Sequence, residues 1–531
     1  MKMRVSILPS CGLILSFCFS ALSGATKLEG RVVDDATGVP LAARVAITDV
    51  HGKPVEVEGK HEHVQQLDKR WCYVDGTFAA SLPDSGVAIA IRRGLETRPL
   101  LDTVSGQAAG AVVAKTFRLR RWIDMRSKGY MSGDLHAHGP AVTEAALEMK
   151  AEDLNALNLL ILNGLPAPND GLFKGKPEEI PGSDSQVFIG QEVVDWQLGH
   201  LTLTGLKSLV SGYPTGGGTL EYWQSNPDLD IMRAARAARQ QNALVSLAHF
   251  ENLPGFESPV ALALSLLDAI ELPTWSDPMQ LPAHLGPWEN SGMALADFTP
   301  MRGADLYYQL LNAGFRLPLA AGTDKIGPEI ALGGNRVYVP TRGRLDYAEW
   351  LAGVKAGTGF VTNGPILEFD VDGHLPGETV DFQGNKTVKA RATARSILPF
   401  TTVEILLNGR VVGHKLRMIQ NNPPVDGVYT MRVEAIVNLD RSGWLAARAF
   451  SNPDIAPRLL ARESSVFSHT SPVYFLQDGR KVREEASVVY LRKYVKALLH
   501  WLSAKPAFAN DEDRAAVERD AQQALKFYEG L

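Results

Sequence analysis

The sequence predicts an α/β protein: a barrel of strands and helices between two β regions, ending in a helical tail. Three observations carry that expectation. Residues 121–365 alternate amphipathic helical stretches with short apolar runs, the pattern of strand-helix units that build a parallel sheet and, when repeated, a barrel. Residues 26–120 and 366–475 show short alternating runs broken by turn dipeptides, which reads as packed β structure. Residues 483–530 place Tyr490, Leu491, Tyr494, Leu498 and Leu499 at helical spacing. The 531-residue length allows roughly two to four domains.

In chain order, residues 1–25 read as a secretory leader. Lys2 and Arg4 precede the apolar run Leu13-Ile14-Leu15-Ser16-Phe17-Cys18-Phe19, and Ser23-Gly24-Ala25 supplies small residues for cleavage. Cys18 opens a lipoprotein alternative, against which Phe17 is a poor fit. Export to the periplasm or beyond is the expectation. Cleavage would leave Cys72 alone, without an intramolecular disulfide. Residues 26–120 begin with Lys27-Leu28-Glu29-Gly30-Arg31-Val32-Val33, a strand, and turn at Asp34-Asp35-Ala36-Thr37-Gly38. They predict a small sandwich similar to carboxypeptidase-regulatory-like β-domains, with a packing role. In 121–365 the helices are centred on 145–154, 231–239 and 305–311, each leading to an apolar strand at 157–162, 243–248 or 316–321. Residues 366–475 carry hairpin and turn signals at Asn408-Gly409 and Asp372-Gly373. Residues 476–531 form the helical segment, where Trp501 and Phe508 are expected to pack.

Composition narrows the function. Hydrophobic residues make up 45% of the chain and charged residues 21%, enough apolar surface for real cores. The net charge of −5 comes without a basic block or an aromatic-basic stripe, which argues against nucleic acid. The leader's apolar stretch is too short to span a bilayer comfortably and no other segment qualifies. A small-molecule substrate is the remaining kind of partner; oligomeric state is not legible.

The chemistry centres on Gly133-Asp134-Leu135-His136-Ala137-His138. Two histidines two residues apart on a strand leave the same face, and Gly139-Pro140 stops the strand there. Four more ligand-type residues sit at the edges of apolar runs: Glu192 after 187–191, His200 before 201–204, His249 after 243–248 and Asp324 after 317–323. Four imidazoles and two carboxylates suit zinc, manganese or iron(II).

This ordered set resembles the PHP (polymerase and histidinol phosphatase) superfamily of metal-dependent hydrolases, and within it the CehA/McbA-type secreted metallohydrolases. The resemblance covers roughly residues 26–375 and also uses Gly190-Gln191-Glu192, Gly322-Thr323-Asp324 and Gly359-Phe360-Val361-Thr362-Asn363-Gly364-Pro365. It implies an irregular (β/α)7 barrel. It also implies that His136, His138, Glu192 and Asp324 hold one divalent metal, and that Glu192 bridges to a second held by His200 and His249. Zinc or manganese, as one ion or two, is the implied cofactor. Two departures bear on this. Leu162-Asn163-Gly164 stands where the superfamily often has Thr-Asp-His, and Ile326 stands where a histidine often follows the last aspartate. Both argue against a trinuclear phosphatase site.

The expected activity is hydrolysis of an ester, carbamate or amide by metal-activated water. The competing readings are a phosphoesterase and a non-catalytic secreted binding protein with a degenerate barrel. Around the ligands, Lys325 is a candidate to steady an oxyanion, or else to pair with Glu192 or Asp324. Arg336 is a candidate clamp for an anionic group, or else a structural ion pair. Asn363 either closes the site or forms a turn with Gly364. Asp134 is an outer-shell orienter or a solvated strand carboxylate. Glu271 is a base or a buried paired acid. Trp275, Trp288 and Tyr307 line a pocket or fill the core.

Overall fold

The computed structural model describes residues 26–531 except 59–62, 67–68, 108–109, 163–167, 170, 214–226, 250–254, 273–302, 329, 418–420, 422, 452–465 and 505. The leader, Asn163, Gly164, Trp275 and Trp288 lie outside the described residues. The protein is a mixed α/β structure with several sheets.

Two sheets form the N-terminal region. Thr26–Asp34 lies between Thr77–Leu82 and Val112–Leu119, with Val57–Glu58 at the edge. The second sheet is centred on Ala42–Asp49, flanked by Lys69–Asp75 and Val87–Arg92. Alternation puts Leu28, Val32, Phe78 and Phe117 of the first sheet into one core with Val45, Val74 and Ile89 of the second. The outer face of the second sheet, with Trp71, Tyr73 and Ala90, packs on Leu147 and Ala151 of helix Val142–Ala151. There Arg44 and Glu152, both fully buried, pair at 2.6 Å. The Tyr73 hydroxyl donates to the same Glu152 oxygen at 3.0 Å.

The central sheet carries the candidate ligands. Its strands follow the spatial order Leu319–Ala320, Ala269–Glu271, Leu244–Leu247, Gly199–Thr204, Gln186–Asp195, Ala156–Leu162, Tyr130–Ala137, Arg336–Pro340, Phe360–Thr362. Helices Ile231–Gln240 and Ala304–Asn312 stand where the apolar period places them. Tyr307 is core, its hydroxyl bonded to Leu317 O at 2.7 Å.

The parallel sheet expected from the strand-helix alternation proves to be a mixed one. Strands 130–137, 156–162 and 186–195 run parallel, but 199–204 is antiparallel to both of its neighbours. The reason lies in chain length: residues 196–198 alone join 186–195 to 199–204. A parallel return needs a crossover of roughly a dozen residues or more, whereas a short turn gives a hairpin. Among the described residues the ladder of paired strands also does not close into a barrel. Single backbone hydrogen bonds bring the segment after Leu319–Ala320 back to the first strand. Leu135 N donates to Ala321 O at 3.0 Å, Asp324 N to His136 O at 2.8 Å and His138 N to Lys325 O at 2.8 Å. Gly322 allows this approach, since a Cβ there would stand 2.3 Å from His136 Cβ.

Beyond Phe360–Thr362 the same sheet continues into Phe467–Thr470 and Gly443–Phe450. A three-stranded sheet of Ile366–Val371, Lys386–Ser396 and Tyr429–Leu439 shares a core with this extension. Both turn signals hold: Asp372-Gly373 and Asn408-Gly409 have positive φ at both positions, and the second joins an antiparallel hairpin. Helices Glu485–Ser503 and Asp511–Gly530 form the tail. Trp501 stacks on Phe256 at 5.5 Å and also meets Phe508, so both tail aromatics pack. No helix among the described residues is long and apolar enough to cross a membrane.

The Arg44–Glu152 pair ties the N-terminal region to the central unit. Glu152→Ala leaves the Arg44 guanidinium buried without that carboxylate, a change expected to cost about 3–5 kcal/mol. Thermal unfolding should show a lowered midpoint, and an unchanged midpoint would contradict this assignment.

Candidate metal centre

Five of the six candidate ligands stand at a strand end or in the turn beyond it, and Glu192 stands inside a strand. His136 and His138 leave the last turn of pleat in Tyr130–Ala137, after an irregularity in its pairing between Asp134 and Ala137. Glu192 lies within Gln186–Asp195, opposite Thr202. His200 opens Gly199–Thr204. His249 and Asp324 follow their strands in left-handed backbone, with φ of 31° and 48°. Such conformations are uncommon for residues with a side chain and concentrate where function holds them.

The six converge. His136 Nε2 and His138 Nε2 are 3.2 Å apart. Asp324 Oδ1 is 3.3 Å from the first and 3.1 Å from the second. Glu192 Oε2 is 3.5 Å from the first and 3.1 Å from the second. Ligands bound at about 2.0–2.1 Å to a four-coordinate ion stand about 3.3–3.4 Å from one another, so these separations are those of neighbours around a cation. The other Glu192 oxygen, Oε1, faces His200 Nδ1 at 3.3 Å and His249 Nε2 at 3.6 Å. Asp324 Oδ2 stands 3.9 Å from His249 Nε2. One carboxylate therefore spans both halves of the cluster.

A cation fits these residues. Glu192 Oε1, His200 Nδ1 and His249 Nδ1 are buried without a hydrogen-bond partner, and an unsatisfied buried polar atom costs roughly 1–3 kcal/mol. The Glu192 and His200 atoms both face the second half. The rings of the first half are anchored from behind: His136 Nδ1 lies 2.9 Å from Glu271 Oε2, and His138 Nδ1 lies 3.2 Å from Leu160 O. These buried His, Glu and Asp groups could hold a metal ion.

The electrostatics follow from packing two carboxylates among imidazoles. Burial pushes His136 down, but Glu271, Glu192 and Asp324 outweigh it and hold the ring well above its ordinary range. His138 likewise overcomes burial through Asp324 and Glu192 and sits at about 9. Burial would raise Glu192 and Asp324, yet His136 and its neighbours hold both below the usual carboxylate range. Burial lowers His200, whereas Glu192 and Asp324 raise His249 against burial.

The candidate polar residues divide. Asp134 is fully buried beneath the ligands and accepts from Thr323 Oγ1 at 2.7 Å, Gly333 N at 2.9 Å and His136 N at 3.1 Å. It is thus a buried, hydrogen-bonded group and no solvated carboxylate; burial sets it at about 6 against those bonds. Lys325 turns away from the cluster: its amine donates to Ile330 O at 2.8 Å and Gly327 O at 3.2 Å, and lies 3.5 Å from Glu148. Its expected oxyanion role, and its pairing with Glu192 or Asp324, are corrected accordingly. The Arg336 guanidinium is buried against Gly333 O at 2.7 Å and Glu152 O at 3.1 Å, which removes it as an anion clamp. Asn363 joins strands, exchanging bonds with Phe467 N and O at 2.7 and 3.1 Å. Glu271 ends an apolar strand as the ligands do, a position that marks it in the sequence. Nothing local marks its partner Thr202, whose hydroxyl donates to Glu271 Oε1 at 2.8 Å.

A cavity of about 690 Å³ lies elsewhere, between the N-terminal region and residues 182–185. Arg93 pairs there with Asp153 at 2.7 Å and Arg126 with Asp184 at 2.8 Å, and none of the six candidate ligands lines it. Comparison with family models, with curated proteins and with solved structures gives no match.

Raised imidazoles must lose protons before they can ligate. Below about pH 9 His138 holds its proton, so zinc affinity should climb from neutral pH toward pH 9 with proton release on binding. Calorimetry in buffers of different ionisation enthalpy measures this; a flat profile without proton release would contradict it.

Proposed function

We propose that this chain is an exported hydrolase that depends on a divalent metal, acting on an ester, carbamate or amide bond of a small molecule. The observation that carries the reading is the set of separations of 3.1–3.5 Å linking His136 and His138 to each other, to Glu192 and to Asp324. The open sheet, returned to its first strand by backbone bonds at 321–325, is read as an irregular barrel of the PHP type. Export rests on the leader-like segment at 1–25.

His136, His138, Glu192 and Asp324 would hold the first ion, and Glu192, His200 and His249 the second. The donor set suits zinc or manganese. A divalent cation bound there supplies Lewis acidity, lowering the pKa of a coordinated water and polarising a substrate oxygen. The chain's own part is preorganisation. Glu192 offers one oxygen to each half, and Asp134 holds the backbone of His136 and Thr323 in place. Burial of the ligands keeps bulk water from competing for them.

Substrate class follows from where the cations point. Lys325 and Arg336, the candidate cations for a phosphoryl dianion among the described residues, are bonded to carbonyls away from the cluster. A neutral carbonyl substrate fits that arrangement better than a phosphoester. The second half has fewer ligands, and the outward nitrogen of His200, Nε2, has no hydrogen-bond partner to orient the ring, so its ion should be the weaker.

Metal analysis of the purified protein and a chromogenic panel of aryl esters, carbamates and phosphoesters test the proposal. The expected result is one tight ion, a second taken up at higher concentration, and turnover of carbonyl substrates. Phosphate release would point to a phosphoesterase, and neither metal nor turnover would leave a binding protein. His136→Ala and Asp324→Ala should each abolish turnover and tight metal uptake while soluble expression persists. Full activity in either variant would remove that residue from the site.

A further inference from the structure

We propose that Glu271 is a positioning residue for the first ion, fixing the tautomer and direction of His136. The inference rests on reading the cluster as a metal centre, and it adds a residue outside the six ligands.

Glu271 ends strand Ala269–Glu271 and is fully buried. Its carboxylate is the junction of three elements. Oε2 lies 2.9 Å from His136 Nδ1 on the first strand. Oε1 accepts from the Thr202 hydroxyl at 2.8 Å. The backbone N–H of His249 donates to Oε2 at 3.4 Å. An ionised carboxylate only accepts, so the His136 hydrogen bond requires a proton on Nδ1. A neutral ring with its proton on Nδ1 presents the Nε2 lone pair, and Nε2 is the atom that faces Glu192 and Asp324. The negative charge behind the ring also raises its basicity as a ligand.

The other rings are held differently. His138 Nδ1 meets only a neutral carbonyl, that of Leu160. The nitrogens that face away from Glu192, His200 Nε2 and His249 Nδ1, have no hydrogen-bond partner. Among the four imidazoles, His136 is thus the one backed by a charged group. Thr202 keeps the carboxylate from rotating, because its hydroxyl occupies the oxygen that His136 does not use. The bond to His249 N links the same carboxylate to the left-handed turn that delivers a second-half ligand.

Glu271→Gln keeps size and hydrogen-bonding capacity but removes the charge. It also lets the amide present its NH₂ to Nδ1, the arrangement that would place the ring proton on Nε2. Zinc affinity, measured on the full chain by competition with a chromogenic chelator, should fall by about 10–100-fold. Cobalt(II) substitution should show an altered visible spectrum, while the metal-free variant melts where the wild type does. Thr202→Val, which leaves the charge but frees it to turn, should give a smaller loss of affinity and serves if Glu271→Gln folds poorly. A purely structural Glu271 would instead lower the melting temperature and leave zinc affinity and the cobalt spectrum unmoved, which would overturn the proposal. Wild-type protein that takes up no zinc would overturn the metal reading itself and this inference with it.

Discussion

Two buried carboxylates aimed at the same imidazole nitrogens are the constraint around which this protein is arranged. Glu192 and Asp324 are each nearly inaccessible to solvent, and an ionised carboxylate withdrawn from water costs several kcal/mol unless it is paired. The chain answers with four histidines drawn from three separate strand edges. Three of them, His136, His138 and His249, then hold protons more tightly than usual or give them up to a cation. Either way the negative charge must be met, and each surrounding feature can be read as fixing the geometry in which it is met. Asp134 holds the backbone behind His136, and Gly322 lets the segment that carries Asp324 come against the first strand.

The regions outside the central sheet support this geometry without contributing ligands. The N-terminal sheets press on the helix after His138 and on Glu152. At the opposite side, the tail helix Glu485–Ser503 bonds through Tyr494 to Gly255 O, and Trp501 stacks on Phe256, just beyond the turn that carries His249. Arg233 and Arg236 pair with Asp513 and Asp520 of the last helix at 2.9 and 2.7 Å. Rigid elements thus hold the cluster from both ends of the chain, as a preorganised site requires.

Much of this was legible in the sequence because strand periodicity is a local property. Two histidines on alternate positions must share a face, and their Nε2 atoms do meet at 3.2 Å. Apolar runs bounded by a His, Glu or Asp marked Glu192, His200, His249 and Asp324 as well. Strand direction was less legible. The three-residue link at 196–198 forbids a parallel crossover, but an apolar run reads the same in either direction. Side-chain direction beyond the strand was hidden altogether. Lys325 follows Asp324 immediately, yet consecutive residues diverge, and its amine finds the carbonyls of Gly327 and Ile330. Arg336 is likewise taken up by backbone oxygens close to it in space. The hydroxyl of Thr202 behind Glu271 depends on three strands meeting, which no local pattern encodes.

The most direct measurement is an anomalous difference map at the zinc absorption edge from crystals of the full chain grown with zinc. The account predicts a peak within about 2.0–2.2 Å of ligand atoms of His136, His138, Glu192 and Asp324, with a weaker peak toward His200 and His249. A map without a peak among these side chains, from protein that is folded and saturated with zinc, would contradict it.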